Sequence, residues 1–201
     1  MNNPFQNLFA KDPFDTLFER LFGENVPDRN LPNKLTLARI VMIPLFLLIL
    51  YWAFPGSVYI ALLVFILASL TDLFDGKLAR KYHLVTDFGK FADPLADKML
   101  VTAAMLWFVE VGRMPGWALT IVICREFAVS GLRMLAAEKG QVIAAGWSGK
   151  VKTAATMVCV ILMFFPLAGW LNALCVAVIT LTTLYSGVEY FMKNKDALSG
   201  M

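Results

Sequence analysis

The sequence predicts an all-α integral membrane protein with six transmembrane helices, preceded by a short amphipathic interfacial helix. Hydrophobic residues make up 59% of the 201 residues and charged residues only 16%, whereas soluble domains have roughly 45–50% and about 25%. Six apolar segments approach the length of about 20 residues that a membrane crossing needs. A soluble core of this size could not hide that much apolar surface, so lipid is the expected solvent.

Proline and glycine separate most of the six predicted spans. Pro55-Gly56 and Pro115-Gly116 interrupt the apolar sequence, and Pro166 with Gly169 does so again near the end. These residues end helices and favour turns. The predicted spans are residues 35–54, 58–78, 94–111, 117–137, 149–167 and 171–192.

The chain divides into three parts around these spans. In residues 1–30, apolar side chains recur at helical spacing with charged residues between them, which is typical of an amphipathic helix. That helix either lies in the membrane interface or docks on the protein's own surface, and its acidic residues do not fit a secretory signal peptide. Residues 31–193 form the predicted six-helix domain, and residues 194–201 a polar tail.

Basic residues predict the orientation in the membrane. With six crossings both termini lie on one side, and that side collects the lysines and arginines of the loops, whereas the opposite loops hold only Arg113. By the positive-inside rule, we expect a multi-pass protein of the plasma (inner) membrane with both termini in the cytoplasm.

Two functional classes are disfavoured by composition. The net charge is only +3, and no basic stripe with interleaved aromatics indicates a nucleic-acid partner. Cys124, Cys159 and Cys175 are scattered in apolar runs, which fits neither a disulfide framework nor a zinc site.

Two pairs of aspartates are the candidate metal-binding residues. Asp72 and Asp75 are three residues apart at the end of the second predicted helix, and Asp93 and Asp97 are four apart at the start of the third. Both spacings place two carboxylates on one helical face, and the short polar loop makes the two helices antiparallel neighbours. Four converging carboxylates repel one another unless cations bind among them. Oxygen ligands suit Mg²⁺, Mn²⁺ or Ca²⁺, which serve phosphoryl chemistry.

Residues between the aspartates fit a nucleotide-phosphate ligand. Gly76, Ala79 and Gly89 are small and let a ligand approach closely, and Arg80 can meet a phosphate. For each small residue alone, ordinary helix packing is the alternative. For the aspartates together, the alternatives are a solvated loop edge or an ion pathway.

The pattern Asp72-x2-Asp75-Gly76-x2-Ala79-Arg80-x8-Gly89-x3-Asp93-x3-Asp97 resembles, without departure, the signature of the CDP-alcohol phosphatidyltransferase family. The resemblance implies a six-helix membrane enzyme, usually a homodimer, that transfers a phosphatidyl group from CDP-diacylglycerol and needs Mg²⁺ or Mn²⁺, here two ions. It implies that Asp72, Asp75 and Asp93 are metal ligands and that Asp97 is both a ligand and the general base. Gly76, Ala79, Arg80 and Gly89 would line the CDP-lipid pocket.

Basic residues beyond the motif indicate an anionic acceptor alcohol. Arg125 and Arg133 are eight residues apart and share a helical face, and Lys150 and Lys152 open the next helix on the same membrane side. Choline, ethanolamine or a neutral alcohol would not need these cations. The alternative is cytoplasmic anchoring by side chains that snorkel to the interface.

The wider sequence resembles the branch of the family that uses sn-glycerol 3-phosphate and forms phosphatidylglycerophosphate and CMP. The matching segments are residues 33–39, 86–98, 125–127 with Arg133, 149–153 and 186–190. This resemblance adds Glu126 to the acceptor site and places Asn33, Thr36 and Arg39 beside the nucleotide, although Asn33 could equally cap the first helix.

Two other functions remain open from the sequence. One is the same transfer to another phosphorylated polyol, such as inositol phosphate. The other is a cation transporter that uses the aspartates as its ion site, although transporters tend to place such sites at the bilayer midplane between repeated halves.

Overall fold

The computed structural model describes the backbone at residues 31–81, 87–138 and 146–195, and the side chains at residues 36–71, 95–137 and 146–195. Regular structure in these ranges consists of α-helices, without strands. The helices are α1 (Leu31–Trp52), α2 (Ser57–Lys81), α3 (Asp87–Glu110), α4 (Gly116–Glu138), α5 (Trp147–Met163) and α6 (Gly169–Lys193). The predicted amphipathic segment 1–30 and residues 196–201 of the tail lie outside the described residues.

All six apolar segments are helical, but three predicted boundaries were wrong by four residues or more, one of them the start of α1 at Leu31 rather than at residue 35. α3 begins at Asp87 rather than at residue 94, so Pro94 lies inside the helix, as Pro44 lies inside α1. Neighbouring helices and local adjustments re-satisfy the backbone groups that such prolines leave unpaired. α5 ends at Met163 rather than at residue 167, because the ring of Pro166 clashes with a continuing helix.

Tight turns at one end of the bundle join the helices in pairs. Gly56 and Gly112 occupy the α1–α2 and α3–α4 turns with φ of 85° and 73°, a left-handed conformation that glycine adopts without a steric penalty. Beside the second turn, Arg113 donates from Nη1 to the backbone oxygens of Met163 and Phe165 at 2.7 and 3.0 Å. The even-numbered helices α2, α4 and α6 therefore all begin at this end of the bundle.

An aromatic cluster forms the core near that turn end. Phe164 follows α5 and lies among rings from three other helices, with centroid distances of 5.0 Å to Phe108, 5.9 Å to Phe65 and 6.2 Å to Phe46. Trp107 stacks on Phe164 at 6.0 Å with an interplanar angle of 9°. Aromatic pairs at these distances add to the stabilisation from buried area, so this cluster stabilises the turn end of the bundle.

Exposed apolar faces surround the described helices. Leu45, Leu63 and Leu181 are about half exposed or more, at 46%, 57% and 66%. By length and composition, one helix of the described part, α6, is apolar enough to cross a membrane; the apolar stretches Thr36–Trp52 and Ser57–Thr71 are shorter.

Candidate active site

The four motif aspartates lie on two helix ends at the end of the bundle opposite the tight turns. Asp72 and Asp75 belong to the last turns of α2, and Asp93 and Asp97 to the first turns of α3, which contacts α2. Asp97 is half-buried. The other three aspartate side chains lie outside the described set, within which no group of three His, Cys, Asp or Glu side chains could hold a metal. Gly76, Ala79, Arg80 and Gly89 lie on the same two helix segments.

A hydrogen bond joins helix α1 to α2 one turn before Asp72, the first aspartate of the motif. Arg39 is fully buried, and its Nε donates a hydrogen bond to the backbone oxygen of Ala68 at 3.2 Å. Thr36, three residues earlier on α1, is 1% exposed. Burying a charged side chain is costly unless polar groups surround it, so these residues indicate a polar interior beside Asp72. Asn33 lies on the first turn of α1, and its side chain is outside the described set.

The carboxylate of Glu126 on α4 forms ion pairs with basic side chains from three helices. Its Oε1 lies 2.5 Å from Lys152 Nζ on α5 and 3.0 Å from Arg125 Nη1 on α4, and its Oε2 lies 3.4 Å from Lys98 Nζ on α3. Lys98 also donates to Ser130 Oγ at 2.5 Å. We call Lys98, Arg125, Glu126 and Lys152 the Glu126 cluster.

The Glu126 cluster carries more positive than negative charge in a largely buried position. Three cations surround one carboxylate, so the cluster has a formal charge of +2. The side chains of Lys152, Arg125 and Glu126 are only 8%, 13% and 20% exposed, and that of Lys98 is 38% exposed. Among the described residues, no partner binds the buried Nε of Arg125. Uncompensated buried charge is costly in free energy, and an anion such as a phosphate would offset the remaining positive charge.

Two of the predicted acceptor residues lie outside the Glu126 cluster. Arg133, two turns after Arg125 on α4, donates from Nε to the hydroxyl of Tyr190 at 2.9 Å, and its guanidinium carbon lies 5.5 Å from the centroid of that ring. Lys150 is exposed at the start of α5. The structure therefore brings Arg125, Glu126 and Lys152 together, and it holds Arg133 against α6 instead.

Sequence reasoning missed Lys98, Ser130 and Tyr190. Lys98 directly follows Asp97, so the same helix end that carries the last aspartate also supplies a cation to Glu126. A signal was present, because an acid within an apolar helix needs cationic partners from its neighbours. Which lysine provides them depends on how α3, α4 and α5 pack, and spacing along one helix does not determine that.

Sequence comparison finds known proteins that are similar to this chain. Residues 29–185 match the family model described as CDP-alcohol phosphatidyltransferase. A protein of Bacillus subtilis (strain 168) named CDP-diacylglycerol–glycerol-3-phosphate 3-phosphatidyltransferase is 45% identical, with 84% of this chain and 97% of that protein covered. A protein of Mycobacterium tuberculosis named probable phosphatidylglycerophosphate synthase is 38% identical, covering 86% and 85%.

A further relative gives the same result. A protein of Shigella flexneri serotype 5b, with the same name as the Bacillus protein, is 39% identical, covering 80% of this chain and 92% of its own length. The agreement favours an enzyme over the cation-transporter hypothesis. The family match covers well over half of the chain and includes both the aspartate motif and the Glu126 cluster, so the chain belongs to the CDP-alcohol phosphatidyltransferase family.

Proposed function

We propose that this protein transfers the phosphatidyl group of CDP-diacylglycerol to sn-glycerol 3-phosphate, forming phosphatidylglycerophosphate and CMP. The observation that carries the proposal is the +2 charge of the Glu126 cluster, which adjoins the helix of Asp97. An anionic acceptor would offset that charge, whereas an uncharged alcohol would not. Relatives from Bacillus and Shigella bear names that specify glycerol 3-phosphate as the acceptor, which supports the same choice here.

The acceptor phosphate binds at Arg125, Lys152 and Lys98. Glu126 neutralises one unit of positive charge. Its Oε1 also holds the Arg125 and Lys152 side chains in place, at 3.0 Å from Nη1 and 2.5 Å from Nζ. Charge-assisted hydrogen bonds to a phosphate are then formed by groups whose positions are already fixed, which reduces the entropy lost on binding.

The first turn of α5 adds to this phosphate site. Gly146 precedes the helix and provides no side-chain cap, so the backbone N–H groups of the first turn remain available to an anion. Helix N-termini attract anions through these groups and through the helix dipole. Lys150 and Arg133 lie farther out at the same end, where they attract the acceptor from water.

Asp97 accepts the proton of the acceptor hydroxyl. It directly precedes Lys98 on α3 and is half-buried, so the acceptor can place its phosphate at the Glu126 cluster and its 1-hydroxyl at Asp97. The deprotonated oxygen forms a bond to the phosphorus that carries the diacylglycerol. The bond from that phosphorus to the bridging oxygen breaks, and CMP leaves with the electron pair.

The donor site combines the aspartate motif with α1. Asp72, Asp75, Asp93 and Asp97 would supply an all-oxygen ligand set from two helices that contact each other, which fits two Mg²⁺ or Mn²⁺ ions. Bound there, such ions would offset the charge of the pyrophosphate and of the departing CMP. Gly76, Ala79, Arg80 and Gly89 line the nucleotide pocket, and Asn33, Thr36 and Arg39 border it from α1.

All six helices cross the plasma (inner) membrane in the proposed arrangement, with the site and both termini in the cytoplasm. The cations of the Glu126 cluster, together with Lys193 and Lys195, lie at one end of the bundle, whereas Arg113 lies at the other. The family resemblance adds a homodimer. Cysteine labelling from outside the cell tests the orientation, and light scattering of the purified protein tests the dimer.

An acceptor panel tests the proposed reaction. Detergent-purified protein with CDP-diacylglycerol and Mg²⁺ receives glycerol 3-phosphate, inositol phosphate, glycerol or no acceptor, and released CMP is measured. Only glycerol 3-phosphate should support rapid release. Equal or faster release with inositol phosphate would reassign the acceptor, and cation flux into vesicles without CMP release would replace the enzyme with a transporter.

A further inference from the structure

The Arg125 side chain runs from α4 into the junction between α5 and α6, beside two glycines. A methyl group built on Gly187 of α6 would lie 3.2 Å from Cγ of Arg125, and one built on Gly149 of α5 would lie 3.7 Å from Nη2. Carbon atoms at optimal separation are about 3.5–4.0 Å apart. The absent side chain at Gly187 therefore provides the space through which the stem of Arg125 passes.

Arg125 cannot easily move away from a side chain at position 187. Its backbone belongs to α4, its Nη1 lies 3.0 Å from Glu126, and its side chain is only 13% exposed. The Cγ atom lies near the fixed base of the side chain rather than at its flexible tip. A displacement there is transmitted to the guanidinium group, because both ends of the side chain are held.

We infer that Gly187 is a positioning residue for acceptor recognition: it admits the Arg125 stem and so sets where the guanidinium meets the acceptor phosphate. This inference rests on the proposed use of glycerol 3-phosphate. Gly187 itself touches neither substrate, and it determines specificity for a phosphorylated alcohol only through Arg125.

Gly187→Ala tests the inference against a matched change. Gly131→Ala, in the interior of α4, serves as the control, because a methyl group there meets nothing within 4 Å. Both substitutions replace glycine by the better helix former, so a difference between them reports the contact with Arg125. We expect Gly187→Ala to raise the KM for glycerol 3-phosphate about tenfold, the scale of one impaired charge-assisted hydrogen bond. Gly131→Ala should leave it unchanged, and neither should alter the KM for CDP-diacylglycerol.

A double-mutant cycle with Arg125→Ala separates positioning from a general packing role. Because alanine at position 125 has no Cγ, adding Gly187→Ala to Arg125→Ala should change the acceptor KM no further. An added loss in the double variant, or an unchanged KM in the single one, would overturn the inference. If Gly187→Ala does not fold, a double variant that folds would show that the added methyl group clashes with Arg125, which supports the inference. A double variant that also fails to fold would overturn the inference.

The same assays distinguish this inference from the proposed function. A wild-type protein that releases no CMP with glycerol 3-phosphate would contradict the proposed acceptor. A wild-type protein that uses glycerol 3-phosphate normally, together with an unaffected Gly187→Ala variant, would contradict only the role of Gly187.

Discussion

Replacing Lys152 by methionine should weaken binding of glycerol 3-phosphate without disturbing the donor site. Lys152 is buried, with its side chain 8% exposed, and its ammonium lies 2.5 Å from Glu126. Methionine retains much of the apolar stem and removes the charge. Glu126 stays paired with Arg125 at 3.0 Å and with Lys98 at 3.4 Å, so the substitution leaves no unpaired buried carboxylate and should fold.

The expected size of the effect follows from the charge of the cluster. Its formal charge falls from +2 to +1, and the phosphate loses one charge-assisted hydrogen bond in a largely buried site. Hydrogen bonds to charged groups contribute about 2 kcal/mol, which corresponds to a rise of about 30-fold in the KM for glycerol 3-phosphate. The KM for CDP-diacylglycerol should be unaffected, because the aspartate motif lies on α2 and α3.

Steady-state CMP release at varied glycerol 3-phosphate measures this effect. Lys195→Met serves as the control for net charge, because Lys195 is exposed beyond the end of α6 and solvent screens its charge. An acceptor KM that stays at the wild-type value in a folded Lys152→Met protein would refute the phosphate role of the cluster. So would an equal rise in the KM for the two substrates.

Three other perturbations probe the base, the metal ions and the core. Asp97→Asn should lower kcat by about 10²–10⁴-fold, the usual contribution of a general base, as measured by CMP release; wild-type turnover would exclude that role. Chelation of divalent ions should abolish CMP release, and added Mg²⁺ or Mn²⁺ should restore it; release that persists in chelator would contradict the metal proposal. Phe164→Ala should lower the free energy of unfolding by about 3 kcal/mol, because the ring is buried among four others. Phe165→Ala, at an adjacent side chain that is 41% exposed, should cost less in the same thermal unfolding assay, and equal losses would contradict the packing argument.

The helices were predictable from sequence because apolar composition and turn residues act locally. Each predicted span overlaps an observed helix, and Gly56 occupies a left-handed turn that its Pro-Gly signal indicates. The boundary of α3 was wrong because Pro94 was interpreted as a helix start. Proline inside a helix is tolerated where neighbouring groups compensate, and sequence alone does not reveal those neighbours.

The candidate site was predictable only in part. Arg125 and Lys152 were predicted to be acceptor residues from their charge in apolar helices, and in the structure both contact Glu126. Their role as acceptor residues stays a prediction. Lys98 was missed because it contacts Glu126, a residue 28 positions away on a different helix. Gly187 was missed because the use of a glycine depends on what approaches it, and here the approaching group comes from another helix.

The most direct test of the central claim follows the acceptor into the lipid product. Purified protein receives CDP-diacylglycerol, Mg²⁺ and glycerol 3-phosphate labelled with carbon-13, and the extracted lipid is analysed by mass spectrometry alongside released CMP. The proposed function predicts labelled phosphatidylglycerophosphate in an amount equal to the CMP. Release of CMP without labelled lipid, or the absence of both products, would contradict it.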